Sequence, residues 1–175
     1  MNRTLIVEQL PGLRRYARAL TGDSWAADDL VQDTLERACA KWQLWVTGSD
    51  LRAWLFTLMH NIYVNQRRSA KVALNSVNID DVEAELHAPA SSSDDPLDLS
   101  RCLPRLPADQ RAVLLLVALE DMSYAETAKV LGIPLGTVMS RLSRARSRLR
   151  ELMEGAQPTV QRVPGTSAPT LRRLK

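Results

Sequence analysis

The chain has 175 residues, 45% apolar and 25% charged, which is the composition of an ordinary folded protein rather than of a disordered or fibrous one. Its net charge of +3 hides a gradient: residues 1–72 carry ten Lys/Arg against seven Asp/Glu, residues 73–100 none against seven, residues 101–133 four against four, and residues 134–175 nine against two. The longest apolar run, Ala112 to Leu119, is far short of the ~18 residues of a membrane span, Glu8 and Gln9 interrupt any signal-peptide core, and two cysteines, Cys39 and Cys102, are too few for a disulfide scaffold and read as buried thiols of a cytosolic protein.

Helical periodicity dominates and strand-like alternation is almost absent, so the fold class expected is all-α. A first helix is predicted over 5–20, with Leu10, Leu13, Tyr16, Ala17 and Leu20 inward and Arg14, Arg15 and Arg18 on the surface; Gly22 and Asp23 break it. A second runs from about Trp25 to Trp42 on the stripe Ala27, Leu30, Val31, Leu35 and Ala38. Residues 43–50 read as a loop. The third helix begins near Asp50, an N-cap, and carries a wide apolar face of Leu51, Trp54, Leu55, Leu58, Met59 and Ile62. Residues 73–96 are acidic, contain a Ser run and two prolines, and read as a flexible linker between two small helical domains, 1–72 and 97–154.

Beyond the linker a short helix is expected over 97–104 and another from Pro107 to Glu120. Ser123 and Glu126 have capping-box spacing and open a helix to Leu131, which Gly132 ends. Pro134 introduces a long last helix to about Glu154, burying Leu135, Val138, Leu142, Ala145, Leu149 and Leu152. Residues 155–175 read as a disordered tail.

Three constellations carry chemistry. The first is the helix-turn-helix of 123–150, whose second helix presents five arginines within 141–150. Thr137, Arg141, Arg144 and Arg148 share one flank, with Ser140 beside them; Met139, Ser143, Arg146 and Arg150 share the other. Such a helix fits the DNA major groove, where the planar guanidinium fork matches guanine O6 and N7. The second is the edge of the third helix, where Trp54, Thr57, Asn61 and Arg68 align and Arg67, Arg68 and Lys71 close the helix; here a core tryptophan and a helix-dipole cluster explain the residues equally well. The third, ADDLVQDTLERA over 27–38, is an acidic helix start that dipole complementarity alone accounts for. No P-loop, dinucleotide fingerprint or nucleophile elbow occurs, and His60 and His87 lie away from zinc-ligand spacing, so no enzyme, cofactor or metal is expected.

Taken in order, RYARALTGDSWAADDLVQDTLERA (15–38), DLRAWLFTLMHNIYVNQRR (50–68) and LPADQRAVLLLVALEDMSYAETAKVLGIPLGTVMSRLSRARSRLREL (106–152) resemble the extracytoplasmic-function sigma factors, small members of the sigma-70 family of bacterial RNA polymerase. The resemblance covers about residues 5–153. It implies that 1–72 binds the clamp helices of the polymerase β′ subunit through Asp28, Asp29, Gln32 and Asp33, and recognises and melts the promoter −10 element. Trp45 and Ser49 of the loop, with Asn61, would hold an extruded base, and Arg67, Arg68 and Lys71 the nearby phosphates. Residues 97–154 would sit on the β flap and read the −35 element through Thr137, Ser140, Arg141, Ser143, Arg144, Arg146 and Arg148. The linker would thread the RNA-exit path. The family further implies an anti-sigma partner, often membrane-anchored, and a cytoplasmic protein that does not itself enter the membrane. One departure is Met139, where many relatives carry Arg; methionine touches a thymine methyl or simply packs. The rival readings are a helix-turn-helix regulator acting without polymerase, for which residues 1–96 show no dimer or effector pattern, and a DNA recombinase, for which they show no acid cluster or nucleophile.

Overall fold

The computed structural model describes residues 3–45, 49–76 and 96–156. Seven α-helices follow one another: α1 Arg3–Thr21, α2 Ser24–Ala40, α3 Leu51–Ser76, α4 Pro96–Cys102, α5 Ala108–Ala118, α6 Tyr124–Leu131 and α7 Leu135–Ala156. Single 3-10 turns at Trp42–Leu44 and Leu103–Arg105 complete the described structure, which contains no strand. Of the linker and tail, 77–95 and 157–175 lie outside the described residues. Within them, α3 continues past the expected boundary at 72 to Ser76. The short helix expected over 97–104 is α4 followed by a 3-10 turn.

Local chemistry sets the breaks. The Asp23 carboxylate accepts from the Ala26 amide (2.8 Å) and caps α2, and Asp50 does the same for α3 through Ala53 (3.0 Å). Gly22 holds φ 76° between α1 and α2, the left-handed region that glycine enters without a Cβ clash. The capping box at α6 is complete: the Glu126 amide donates to Ser123 Oγ, and the Ser123 amide to the Glu126 carboxylate. Ser123 holds the Glu126 carboxyl below its ordinary pKa, first through its side chain and then through its backbone amide. At the other end Gly132 turns left-handed (φ 62°), and the Gly132 and Ile133 amides donate to the carbonyls of Lys129 and Ala128, closing α6 and aiming the chain into α7. Pro107 caps α5 from outside rather than forming its first turn.

Helix α5 explains the arrangement. Six consecutive residues, Arg111–Leu116, are buried, a pattern possible only where a helix is enclosed on all sides. Val113 and Leu114 face a cluster with Cys102, Leu106, Val138, Leu142, Ala145 and Leu152. Ala112, Leu115 and Leu116 face the other way, into a larger cluster built on α1–α3: Leu13, Tyr16, Leu20, Leu30, Leu55, Phe56 and Met59. Met122 and Val130 join it, so α6 lies on α3. The main core is thus shared by both halves of the chain. Phe56 and Tyr63, outside the apolar stripe read from sequence, are buried because α3 is covered from two sides. Tyr16 meets Phe56 edge-on (centroids 5.3 Å), and burial pushes its phenol well above the ordinary range, so it stays neutral.

Three expectations from sequence need correction. Cys39 is exposed, because it follows the last buried residue of α2, Ala38, on the outward side; only Cys102 is buried. Leu135 is 48% exposed, since α7 starts there, before the helix reaches its neighbours. Arg15 is no plain surface residue: its guanidinium meets the buried Glu120 carboxylate in two bonds of 3.0 Å.

Candidate nucleic-acid and polymerase interfaces

On α2, the core residues Ala27, Leu30, Val31, Thr34 and Ala38 fix which side is outward. Asp28, Asp29, Gln32 and Asp33 are all exposed on the remaining surface. Gln32 donates to Glu36 (3.0 Å), and Asp33 accepts from Gln66 of α3 (2.9 Å), which ties that acid to the neighbouring helix and leaves Asp28 and Asp29 the more accessible pair. Trp25, at the start of the same helix, is 79% exposed, the most solvent-facing large apolar side chain described.

The turn between α2 and α3 carries an aromatic cluster that the sequence reading grasped only in part. The Trp45 amide donates to the Trp42 carbonyl (3.1 Å). In a 3-10 turn residues three apart eclipse, so the two indoles come together, with centroids 4.9 Å apart. Trp42 in turn meets Trp54 of α3 edge-on at 6.4 Å. Trp42, read from sequence as the end of the second helix, belongs to this cluster instead; the Trp-x-x-Trp spacing across a turn was the available signal. The Trp45 ring nitrogen is enclosed and has no acceptor among the described residues. Ser49 is exposed just before α3, and residues 46–48 of the expected loop lie outside the described residues.

Along α3, Asn61 is exposed while its neighbours Ile62 and Tyr63 are buried. Thr57 is turned back onto its own helix, donating to the Ala53 carbonyl (2.8 Å). Arg67, Arg68 and Lys71 are all exposed, and Arg67 lies over the Tyr63 ring (5.9 Å). Asn61, Arg68 and Lys71 therefore form an open polar edge running from the aromatic cluster toward the end of α3. His60, one residue before Asn61, is mostly enclosed. Burial first, then the nearby Arg141, lowers its pKa to about 4, so the ring is neutral at pH 7.

On α7, Val138, Leu142, Ala145 and Leu152 anchor the helix inward. Thr137 is half-buried, and Ser140 donates to its carbonyl (3.1 Å). Arg141 is engaged by Asp109 of α5 (3.1 Å) and Arg148 by Glu151 (3.2 Å). Ser143, Arg144 and Arg146 are exposed. Two open grooves of about 360 and 410 Å³ flank Ser143 and Ser147, one edged by Met139, Arg146 and Arg150 and the other by Arg144 and Arg148. The two flanks read from the sequence are thus two separate cationic walls.

Comparison with known proteins bears directly on this geometry. Residues 6–60 match the family model described as the Sigma2 domain of PhyR, and residues 97–149 match Sigma-70, region 4. A sigma factor of Rhodopseudomonas palustris named ECF RNA polymerase sigma factor EcfG is 36% identical over 155 residues, covering 87% of this chain and 86% of that protein. This chain belongs to the ECF RNA polymerase sigma factors. ECF RNA polymerase sigma factor SigL of Mycobacterium tuberculosis is 39% identical over 156 residues, covering 85% of this chain and 86% of its own. Among solved structures, the sigma factor RpoE of Bartonella quintana, crystallised with the anti-sigma factor NepR, matches with TM-score 0.74 and 35% identity over 89% of this chain and 98% of its own. CnrH, solved with the cytosolic domain of CnrY, matches with TM-score 0.65 and 26% identity over 88% of each chain. ECF sigma factors are regulatory proteins of transcription initiation, and the helix-turn-helix of α6 and α7 is the DNA-binding part of their region 4. Among the described residues, no helix is long and apolar enough to cross a membrane.

Proposed function

We propose that this sigma factor divides promoter recognition between residues 1–72 and 97–154, joined by the linker 73–96 and followed by a tail at 155–175. In this reading α2 offers Asp28, Asp29, Gln32 and Asp33 to the β′ clamp helices of core polymerase. Trp45, Ser49 and Asn61 hold one unstacked −10 base, with Arg67, Arg68 and Lys71 on the adjoining phosphates. The second unit sits on the β flap and enters the −35 major groove with α7. Arg144 and Arg146 face the bases from the two flanks, and Thr137, Ser140, Arg141, Ser143 and Arg148 complete the contact. Arg141 reaches DNA only by leaving Asp109. Met139 keeps about half its surface in water, on the groove edge beside Arg146, which favours contact with a thymine methyl. The protein works in the cytoplasm, and an anti-sigma factor is its regulator, as the complexes of the two structural relatives suggest.

The observation carrying this reading is the outward placement of Arg144 and Arg146 behind a fully capped helix-turn-helix. Reconstitution with core polymerase tests it: transcription should require both promoter elements, and Asn61→Ala should change base preference at one −10 position even on a pre-opened template. Unaltered preference with an unchanged melting midpoint removes Asn61 from the site. A second reading has its own support, because the first half matches the Sigma2 domain of PhyR, and PhyR of Bartonella quintana was crystallised as an anti-anti-sigma factor with NepR. A chain of that kind would bind an anti-sigma factor but form no holoenzyme, and the same reconstitution distinguishes the two.

A further inference from the structure

Helix α7 turns Val138, Leu142, Ala145 and Leu152 inward and leaves a ridge of small exposed residues opposite them: Gly136, Ser140, Ser143 and Ser147. The two walls beside this ridge are unlike. One carries Thr137, Arg141, Arg144 and Arg148. The other carries Arg146 and Arg150 in its later turns, but Leu135 and Met139 at its start. Leu135 is 48% exposed and Met139 52%, whereas Val130, Leu131 and Ile133 just before them are drawn into the two apolar clusters. The exposure is not fraying. The Thr137 and Val138 amides both donate to the Pro134 carbonyl (2.9 and 3.1 Å), so the turn that carries Leu135 is closed. Gly136 beside it has open space where a Cβ would stand, so no neighbour in the chain calls for glycine, and bare backbone lies on the outermost line of the helix.

We propose that Leu135 and Met139 together form an apolar reading wall that selects two thymines in the −35 element, adjacent or next but one to each other. This rests on the −35 reading above and adds to it Leu135 and the spacing of the bases read. In a helix-turn-helix the first residues of the second helix reach the base edges. Leu135 and Met139 stand there, while Arg150, about four turns beyond Leu135, lies toward the phosphates. Among the groups lining the major groove, the one apolar edge is the C5-methyl of thymine. Leucine and methionine have no proton to donate to guanine and no strong acceptor for the amino groups of adenine or cytosine. Set against those edges they would strip water from them and give nothing back, which is costly. The wall therefore favours thymine by contact and rejects the other bases by desolvation. Residues four apart on a helix lie one above the other, separated by about 6 Å along its axis. Base pairs step by about 3.4 Å, so the two methyls belong one or two steps apart. Because the opposite wall offers guanidinium at the matching height, the two walls ask for different bases, and this fixes which way round the helix reads the element.

The test uses holoenzyme reconstituted from core polymerase and the full chain as wild type, Leu135→Ala or Met139→Ala. Each −35 thymine, on either strand, is replaced in turn by deoxyuridine, and the promoter concentration giving half-maximal initiation is measured. Wild type should be sensitive at two thymines, each methyl being worth about fourfold. Leu135→Ala should erase the sensitivity at one of them and Met139→Ala at the other, and the two positions should be one or two steps apart. A Leu135→Ala protein that keeps both sensitivities overturns the proposal, as do sensitive positions more than two steps apart. Loss of initiation in Leu135→Ala that is equal on every template, with no sensitivity erased, also overturns it and assigns the residue to a protein contact. Arg144→Ala on the other wall separates this failure from that of the −35 reading: if it relaxes one base pair while Leu135→Ala erases nothing, the −35 reading stands and the apolar wall falls. If no holoenzyme forms, the sigma reading fails, and the same replacements in a −35 duplex bound by the chain alone at low salt decide whether the wall exists.

Discussion

Arginine is used in opposite ways in two regions of this molecule. Between the halves, Arg15 and Arg52 are engaged by Glu120 and Arg111 by the Tyr63 hydroxyl, all oxygens of the chain itself. On α7, Arg144 and Arg146 project into solvent, and Arg148 has only an exposed partner one turn away. The side chain is the same; what differs is whether its acceptor is buried. A guanidinium on a buried acceptor fixes conformation, whereas one left in water stays available to phosphate or guanine.

Breaking the interface should have the largest effect. Arg111→Ala removes a buried side chain with its bonds to the Tyr63 hydroxyl and the Leu103 carbonyl, so stability should fall by about 2–4 kcal/mol, read from the urea midpoint. Arg144→Ala should leave that midpoint within about 0.5 kcal/mol, as for other exposed sites. It should nevertheless cost ~1–3 kcal/mol in −35-dependent initiation, with preference relaxed at one base pair. A uniform loss on all sequences, together with a shallower salt dependence, would instead assign Arg144 to phosphate.

His60 and Arg141 sharpen the comparison through pH. With a folded pKa of about 4 against about 6.5 unfolded, the unfolded chain binds a proton between those values that the folded chain refuses. Stability therefore rises with pH across that window and is lost as pH falls toward 4, by about 1–2 kcal/mol once partial exposure is allowed for. His60→Gln should flatten this part of the wild-type profile and leave the slope above pH 7 unchanged. The smallest effect belongs to Met139. Replacing individual −35 thymines by deoxyuridine deletes one methyl each, worth about 0.8 kcal/mol when buried. One such replacement should weaken wild type and leave Met139→Ala indifferent; if every replacement acts equally on both proteins, Met139 makes no thymine contact.

The same contrast explains what could be read from sequence. Helices α1, α2, α6 and α7 were legible because their burial is one-sided and their caps are local: Asp23, Ser123 with Glu126, and Gly132 act within a few residues of the breaks they cause. The outward arginines of α7 were legible for the same reason, since a periodic core stripe defines its complement. The docking of the halves was not. Glu120 and Arg15 are 105 positions apart; Arg15 read as an ordinary surface charge and Glu120 only as the end of a helix, and nothing local joins them. Phe56 and Tyr63 fell outside a stripe that assumed one neighbour for α3, and Trp42 was assigned to a helix that ends at Ala40.

Gly12 carries a consequence for heredity. A Cβ there would stand 2.9 Å from a Glu120 oxygen, so any side chain must displace the carboxylate that Arg15 and Arg52 hold, yet the residue lies on neither the acidic face of α2 nor the basic face of α7. A screen for alleles that lower the thermal midpoint should therefore return Gly12 alongside Arg15, Arg52 and Glu120. They would be recessive, because a copy that folds poorly leaves the intact copy to work. The map of such alleles would fall on one small spot, the seam where the two halves of the chain share their core.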